Sequence, residues 1–211
     1  MKKTGLINYG MGNLHSVAKA LEKVGGEVEL VSDADSLKNY DRIVLPGVGA
    51  FRDCIGALKA SGMDVAIKSE AAEGKPFLGI CLGMQVLMDN SFEFGRHQGL
   101  GLISGAVKAF PEDHAERGFK IPHMGWNDVI FSSQKDAHPV LAPLAGKQVY
   151  YVHSYCCMPE NPDDLLAACS YGDYPFAAAV GSDNIVAVQF HPEKSQSAGL
   201  ALMEAFLQWN P

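Results

Sequence analysis

An α/β fold is predicted for this chain by three observations. Short aliphatic runs of strand length alternate with apolar residues at helical spacing in the first half, a dozen or more residues separate successive runs, and 47% of the 211 residues are hydrophobic. Connections of that length suit parallel strands joined by helices. Length and composition fit one domain spanning residues 1–211, with ample apolar material for a core.

The elements follow in order. Leu6 and Ile7 head a first strand, and Asn13 is placed to cap a helix. Leu14, Val17, Ala18, Leu21 and Val24 recur at i, i+3, i+4, i+7 and i+10, one helical face that Gly25 and Gly26 stop. Val28, Leu30 and Val31 form a second strand, and Ile43, Val44 and Leu45 a third, ended by Pro46. A helix over 63–73 leads through Gly74, Lys75 and Pro76 into a buried strand, 77–80. The second half is richer in strands, expected at 107–110, 129–131, 149–152, 165–168, 177–180 and 185–189, before a closing helix marked by Leu200, Met203, Phe206 and Leu207. The charged segment 111–118 is expected to be a flexible, solvated loop. No repeat, low-complexity tract or linker interrupts the chain.

Charge and cysteine usage exclude several classes. With 17 Lys and Arg against 24 Asp and Glu, the net charge is −7 and no basic block exists, which argues against nucleic acid as a partner. The start Met1-Lys2-Lys3-Thr4-Gly5 is followed by too short an aliphatic stretch for a secretion signal, and no 18-residue apolar run follows, so a cytoplasmic protein without membrane contact is expected. Five cysteines, an odd number, make a disulfide framework improbable. Without a CxxC pair or HxxxH spacing, no metal site is expected. Tyr9-Gly10-Met11-Gly12-Asn13-Leu14-His15 sits where a dinucleotide fingerprint would, but His15 occupies the place of its third glycine, so no cofactor is expected.

The chemistry centres on Gly79-Ile80-Cys81-Leu82-Gly83, where a strand runs into a helix expected over 82–88. This is the G-x-S-x-G nucleophile elbow with sulfur in place of oxygen. A helix N-terminus behind Cys81 favours a thiolate, and the Leu82 amide is placed to receive an oxyanion. The alternative is a buried structural cysteine between packing glycines. His191 and Glu193 follow an aliphatic strand and stand two apart, so in extended backbone their side chains share a side and the carboxylate can orient the imidazole. The alternative for His191 is a satisfied core histidine. Gly47-Val48-Gly49 follows the third strand and suits either a second oxyanion donor or a plain strand-to-helix turn.

Together, Pro46-Gly47-Val48-Gly49, Gly79-Ile80-Cys81-Leu82-Gly83-Met84-Gln85 and His191-Pro192-Glu193 resemble the class I (triad) glutamine amidotransferases. Pro122-His123-Met124-Gly125-Trp126-Asn127, Tyr150-Tyr151-Val152-His153-Ser154-Tyr155 and Lys194-Ser195-Gln196 narrow the resemblance to the glutaminase subunits of imidazole glycerol phosphate synthases, over essentially the whole chain. The resemblance implies a mixed, mostly parallel, flavodoxin-like central sheet flanked by helices, with an α/β-hydrolase-like elbow. It implies glutamine hydrolysis by Cys81, His191 and Glu193, with an oxyanion hole from Leu82 and Val48 or Gly49. Glutamine would be held by Gly49, Ala50, Gln85, His153, Ser154 and Tyr155. Ammonia would pass to a (β/α)8-barrel synthase subunit in a heterodimer, met through Asn13, Trp126 and Lys194. Core packing is the alternative for Trp126, and His123 is read as a packing residue. The Gly47-Val48-Gly49 loop is expected to rest with its peptide turned away and to turn when the partner binds its acceptor. Cys156 and Cys157 match no motif and are read as structural. A glutaminase serving another acceptor, a γ-glutamyl peptidase with the same triad, and a catalytically dead scaffold are the competing functions.

Overall fold

The computed structural model describes residues 2–131 and 138–211. The first half holds β1 (Lys3–Ile7), α1 (Leu14–Lys23), β2 (Glu27–Val31), β3 (Arg42–Gly47), α2 (Phe51–Ala60), α3 (Met63–Ala72), β4 (Phe77–Cys81) and α4 (Leu82–Gln85). Then come β5 (Met88–Ser91), β6 (His97–Gln98), β7 (Ile103–Ala109), β8 (His123–Asp128), β9 (Ile130–Phe131), β10 (Gln148–His153), β11 (Tyr155–Pro159), β12 (Leu165–Tyr171), β13 (Tyr174–Ser182), β14 (Ile185–Val188) and α5 (Gln196–Gln208).

Among the described residues the main sheet has eight strands in the order β2-β1-β3-β4-β14-β13-β12-β9. Pairing is parallel from β2 through β14 and antiparallel from β14 to β9. Alternate residues of the parallel strands feed two cores, one on each face. Leu6, Val44, Leu78 and Val186 pack with Leu21 of α1 and Phe206 of α5, while Ile7, Ile43, Leu45 and Phe77 pack with Ile55 of α2 and Ile67 of α3. Burial on both faces is why these strands read as continuous apolar runs. The stop at Gly25 and Gly26 is a Schellman turn: Gly25, at φ 89°, donates to the Glu22 carbonyl and Gly26 to that of Leu21.

Four expectations need correction. Pro46 does not end β3, which continues to Gly47 opposite Cys81. The Ile43 amide points to the β4 side, so position 46 faces β1, whose pairing ends at Val44, and the missing N–H loses no ladder bond. The helix after Cys81 is one turn rather than 82–88, because the carbonyls of Val86 and Leu87 accept from Leu100, Leu102 and Ile103 instead of continuing the helix. The segment 111–118 is not merely solvated: His114 is fully buried, stacks on Phe110 at 5.4 Å and bonds through Nε2 to the Tyr171 carbonyl at 3.0 Å. Finally, α2, β5, β6, β8 and β11 were not expected, and two small sheets, β10-β8 and β11-β7-β5-β6, flank the main one.

Candidate active site

The C-terminal ends of β3, β4 and β14 lie side by side, with Gly47 opposite Cys81 and Ile80 opposite Val188. Such ends are where parallel sheets collect ligands and reacting groups. Cys81 takes φ 55° and ψ −109°, a strained conformation for a residue with a Cβ. Its neighbours explain how the strain is held. A Cβ on Gly79 would lie 2.9 Å from Ala187 Cβ, and one on Gly83 only 1.9 Å from the Leu45 carbonyl oxygen, so the turn presses against both adjacent strands.

His191 lies three residues beyond β14. Its backbone N–H donates to the Tyr150 carbonyl at 2.9 Å, and Ser195 Oγ accepts from the Tyr150 N–H at 2.9 Å while donating to the His191 carbonyl at 2.6 Å. His191 itself is extended, but Pro192–Lys194 forms a 3-10 turn, so it is this turn rather than a continuing strand that returns Glu193 to the imidazole. Nδ1 of His191 bonds Glu193 Oε1 at 2.8 Å, with both side chains at most 2% exposed. Burial disfavours the imidazolium, but its interactions with the nearby Cys81 sulfur and with the Glu193 carboxylate outweigh it and push the His191 pKa up to about 10. Nε2 of His191 has no hydrogen-bond partner among the described residues.

Cys81 and His191 line one cavity of about 370 Å³, which Val48, Gly49, Leu82, Gln85, His153, Ser154, Tyr155 and Lys194 also border. The remaining expected residues lie around it. Glu193 backs His191, and Ala50 is the N-cap residue of α2, one position beyond the lining. The Asn13 side chain makes no cap bond to α1, although the backbone carbonyl of Asn13 accepts from the Val17 N–H at 3.1 Å; its side-chain amide donates to Glu193 Oε1 at 3.4 Å. Trp126 is 44% exposed and meets Tyr150 edge to face at 6.1 Å, while Lys194 Nζ stands 5.8 Å from the same ring. Gly49 has φ 96°, a conformation that glycine adopts at little cost.

The cavity also has walls that the sequence reading missed: Glu93, Phe94, Pro122 and Val152. Glu93 accepts from the Phe51 N–H at 2.5 Å, closing the start of α2. No sequence signal marks it, since its contact depends on a fold-back of 42 residues. His123 and His153 share a hydrogen bond of 3.1 Å, and burial pushes their pKa values down to about 4 and about 3. Gln189 was passed over although it stands two residues before His191. It is fully buried and lies 3.8 Å from the Cys81 sulfur.

The arrangement can perform nucleophilic displacement at a small carbonyl compound: a sulfur on a strained turn, a base with a free ring nitrogen, and a buried acid behind it.

Comparison with known proteins places this geometry. The family model for class I glutamine amidotransferases matches residues 5–208. The chain is 49% identical over 209 residues to the imidazole glycerol phosphate synthase subunit HisH of Geobacter sulfurreducens, covering 98% of each chain. It is 49% identical over 217 residues to the protein of the same name from Methylococcus capsulatus, covering 100% of this chain and 98% of that one. Among solved structures, PurLQS from Thermotoga maritima superposes with a TM-score of 0.74 at 22% identity, over 99% of each chain. The glutaminase domain of Trypanosoma brucei CTPS with bound acivicin does so at 0.64 and 17% identity, over 100% of this chain and 96% of that one. The chain belongs to the class I glutamine amidotransferases.

Proposed function

We propose, from that membership, that this chain is the glutaminase subunit of an imidazole glycerol phosphate synthase, a single amidotransferase domain over residues 1–211 working in the cytoplasm in histidine biosynthesis. The observation that carries the reading is the buried His191–Glu193 bond of 2.8 Å beside a cavity that also holds Cys81. The 49% identity over nearly full length to subunits of that name supports the choice of synthase.

In this reading the Cys81 thiolate attacks the side-chain amide carbon of glutamine. The Leu82 N–H and an N–H of Val48 or Gly49 hold the oxyanion. The imidazolium of His191 gives its Nε2 proton to the departing nitrogen, leaving ammonia and a γ-glutamyl thioester. Water then attacks the thioester as His191 takes its proton, and the thiolate leaves from glutamate. Glu193 keeps the imidazole oriented and favours its charged form.

The amino-acid end of glutamine would lie against Gly49, Ala50, Gln85 and the His153-Ser154-Tyr155 backbone. The amide nitrogen of Gln85 is engaged by the Tyr155 carbonyl and Gln189, so Gln85 offers its oxygen to a ligand. With Glu93, that makes two acceptors for an α-ammonium group.

Free ammonia in neutral water becomes ammonium, which is no nucleophile, so the product needs a sealed path. A (β/α)8-barrel synthase subunit would provide it in a heterodimer. Asn13, Trp126 and Lys194 would face that partner, with Trp126 over Tyr150 as the aromatic anchor. Turning of the Gly47-Val48-Gly49 peptide would couple the two subunits.

The test is glutamate release by the purified chain alone and with a barrel synthase subunit and its nucleotide substrate. Stimulation by roughly 10²-fold is expected, the amount one oxyanion donor commonly supplies. Equal turnover with and without the partner would overturn the reading.

A further inference from the structure

We infer that Gln189 is a positioning residue for the nucleophile: its side-chain N–H groups face the Cys81 sulfur and stabilise the thiolate, and the orientation of its amide is dictated from the opposite wall of the cavity through Gln85. This rests on the proposed role of Cys81 and adds a residue to it.

The direction of the chain of bonds follows from its far end. The Tyr155 carbonyl can only accept, and it receives Gln85 Nε2 at 3.1 Å and the His153 ring nitrogen Nδ1 at 2.9 Å. Gln85 must therefore turn its nitrogen inward. The same nitrogen lies 3.2 Å from Gln189 Oε1, so Gln189 must present its oxygen to Gln85 and its nitrogen to what lies beyond. Beyond it, at 3.8 Å, is Cys81 Sγ. With the opposite amide setting, two nitrogens would meet nose to nose and the sulfur would face a carbonyl oxygen. Gln189 has no exposure to solvent, so water does not compete for these groups.

The consequence is electrostatic. A hydrogen bond to the charged form of a thiol lowers its pKa, and α4 is a single turn whose dipole adds little. Gln189 therefore supplies a donor from the side of the sulfur remote from solvent. Because the Gln85 amide orients it, loss of the Gln85 nitrogen would weaken the donor without touching Cys81.

The experiment reads the pH dependence of Cys81 alkylation by iodoacetamide, followed by mass mapping of the Cys81 peptide, in the wild-type chain and in Gln189→Glu and Gln189→Met, each checked for folding by thermal melting. The midpoint is expected to rise by about one pH unit in both variants, and less in Gln85→Met. Glutamine turnover should fall about tenfold in the two Gln189 variants with little change in KM, since no ligand contact is lost. Side-chain amide NMR of the wild-type chain is the control that needs no variant: the Gln189 resonances should move as Cys81 titrates. Folded variants with unchanged midpoints, or Gln189 amide resonances that stay still through the titration, would overturn the inference while leaving Cys81 as nucleophile. A wild-type Cys81 that iodoacetamide does not modify at any pH would instead remove the underlying reading.

Discussion

At the end of β4 the backbone around Cys81 is held by the lack of side chains: Gly79 and Gly83 let the turn lie against Ala187 and the Leu45 carbonyl, and a Cβ at either position would overlap them. At the end of β14 the turn that carries His191 has one such close approach, where a Cβ on Gly199 would fall 1.8 Å from the Pro192 carbonyl oxygen, but it is also held by hydrogen bonds, from Ser195 Oγ, Tyr150 and Glu193, with Asn13 behind. Steric locking offers no intermediate states, whereas hydrogen bonds can be removed one at a time. Changes to the elbow should therefore act on folding or abolish chemistry, whereas removing the hydrogen bonds of the base turn one at a time should grade it.

The largest effect is expected from Cys81→Ala, which should lower glutaminase turnover by at least about 10⁴-fold with the fold intact, as nucleophile removals do. Residual activity near wild type would take Cys81 out of the mechanism. Next is Gly83→Ala. Its methyl would sit 1.9 Å from a backbone oxygen, so a loss of about 3 kcal/mol or more in urea-unfolding stability is expected. A stability change below about 1 kcal/mol, close to what surface substitutions cause, would mean that the elbow relaxes and the contrast with the base turn is unreal.

Glu193→Gln keeps the shape and removes the charge, and turnover should fall by about 10²-fold without unfolding. It also sharpens the pH behaviour. His191 has a folded pKa raised to about 10 from an ordinary value of 6.5, so its stabilising contribution is full below the ordinary value and disappears as pH rises through the folded one. Wild-type stability measured by thermal melting should therefore decline between those two values, and Glu193→Gln should flatten the decline. The smallest effect belongs to Asn13→Ala, which loses one long bond of 3.4 Å to the carboxylate and should slow turnover only about threefold. An effect as large as that of Glu193→Gln would show that Asn13 is needed to hold the acid.

The same contrast explains what could be read from the sequence. The elbow and the His191–Glu193 pair are local patterns whose spacing is dictated by backbone geometry, so the residues alone point to them. The parallel strands β1, β3, β4 and β14 were legible because both faces are buried. The polar β5 and the strand β11 lack a clean alternation, β8 alternates with Met124 and Trp126 on its exposed side, and β8 and β11 pair with strands far along the chain. The length of α4 escapes the sequence for the same reason: Leu100 and Leu102 capture the carbonyls of Val86 and Leu87 just beyond it, from outside the local sequence. Glu93 reaches the cavity only by folding back onto Phe51, and the orientation of Gln189 depends on a carbonyl at Tyr155. None of these carries a local signature.

The central claim, that Cys81 is the atom that takes the glutamyl group, is tested most directly by incubating the chain with a glutamine analogue bearing a diazoketone in place of the carboxamide and locating the label by mass spectrometry. The account predicts one label, on the Cys81 peptide, appearing in step with loss of glutaminase activity and prevented by excess glutamine. A label on any other residue, or full turnover by a chain labelled at Cys81, would contradict it.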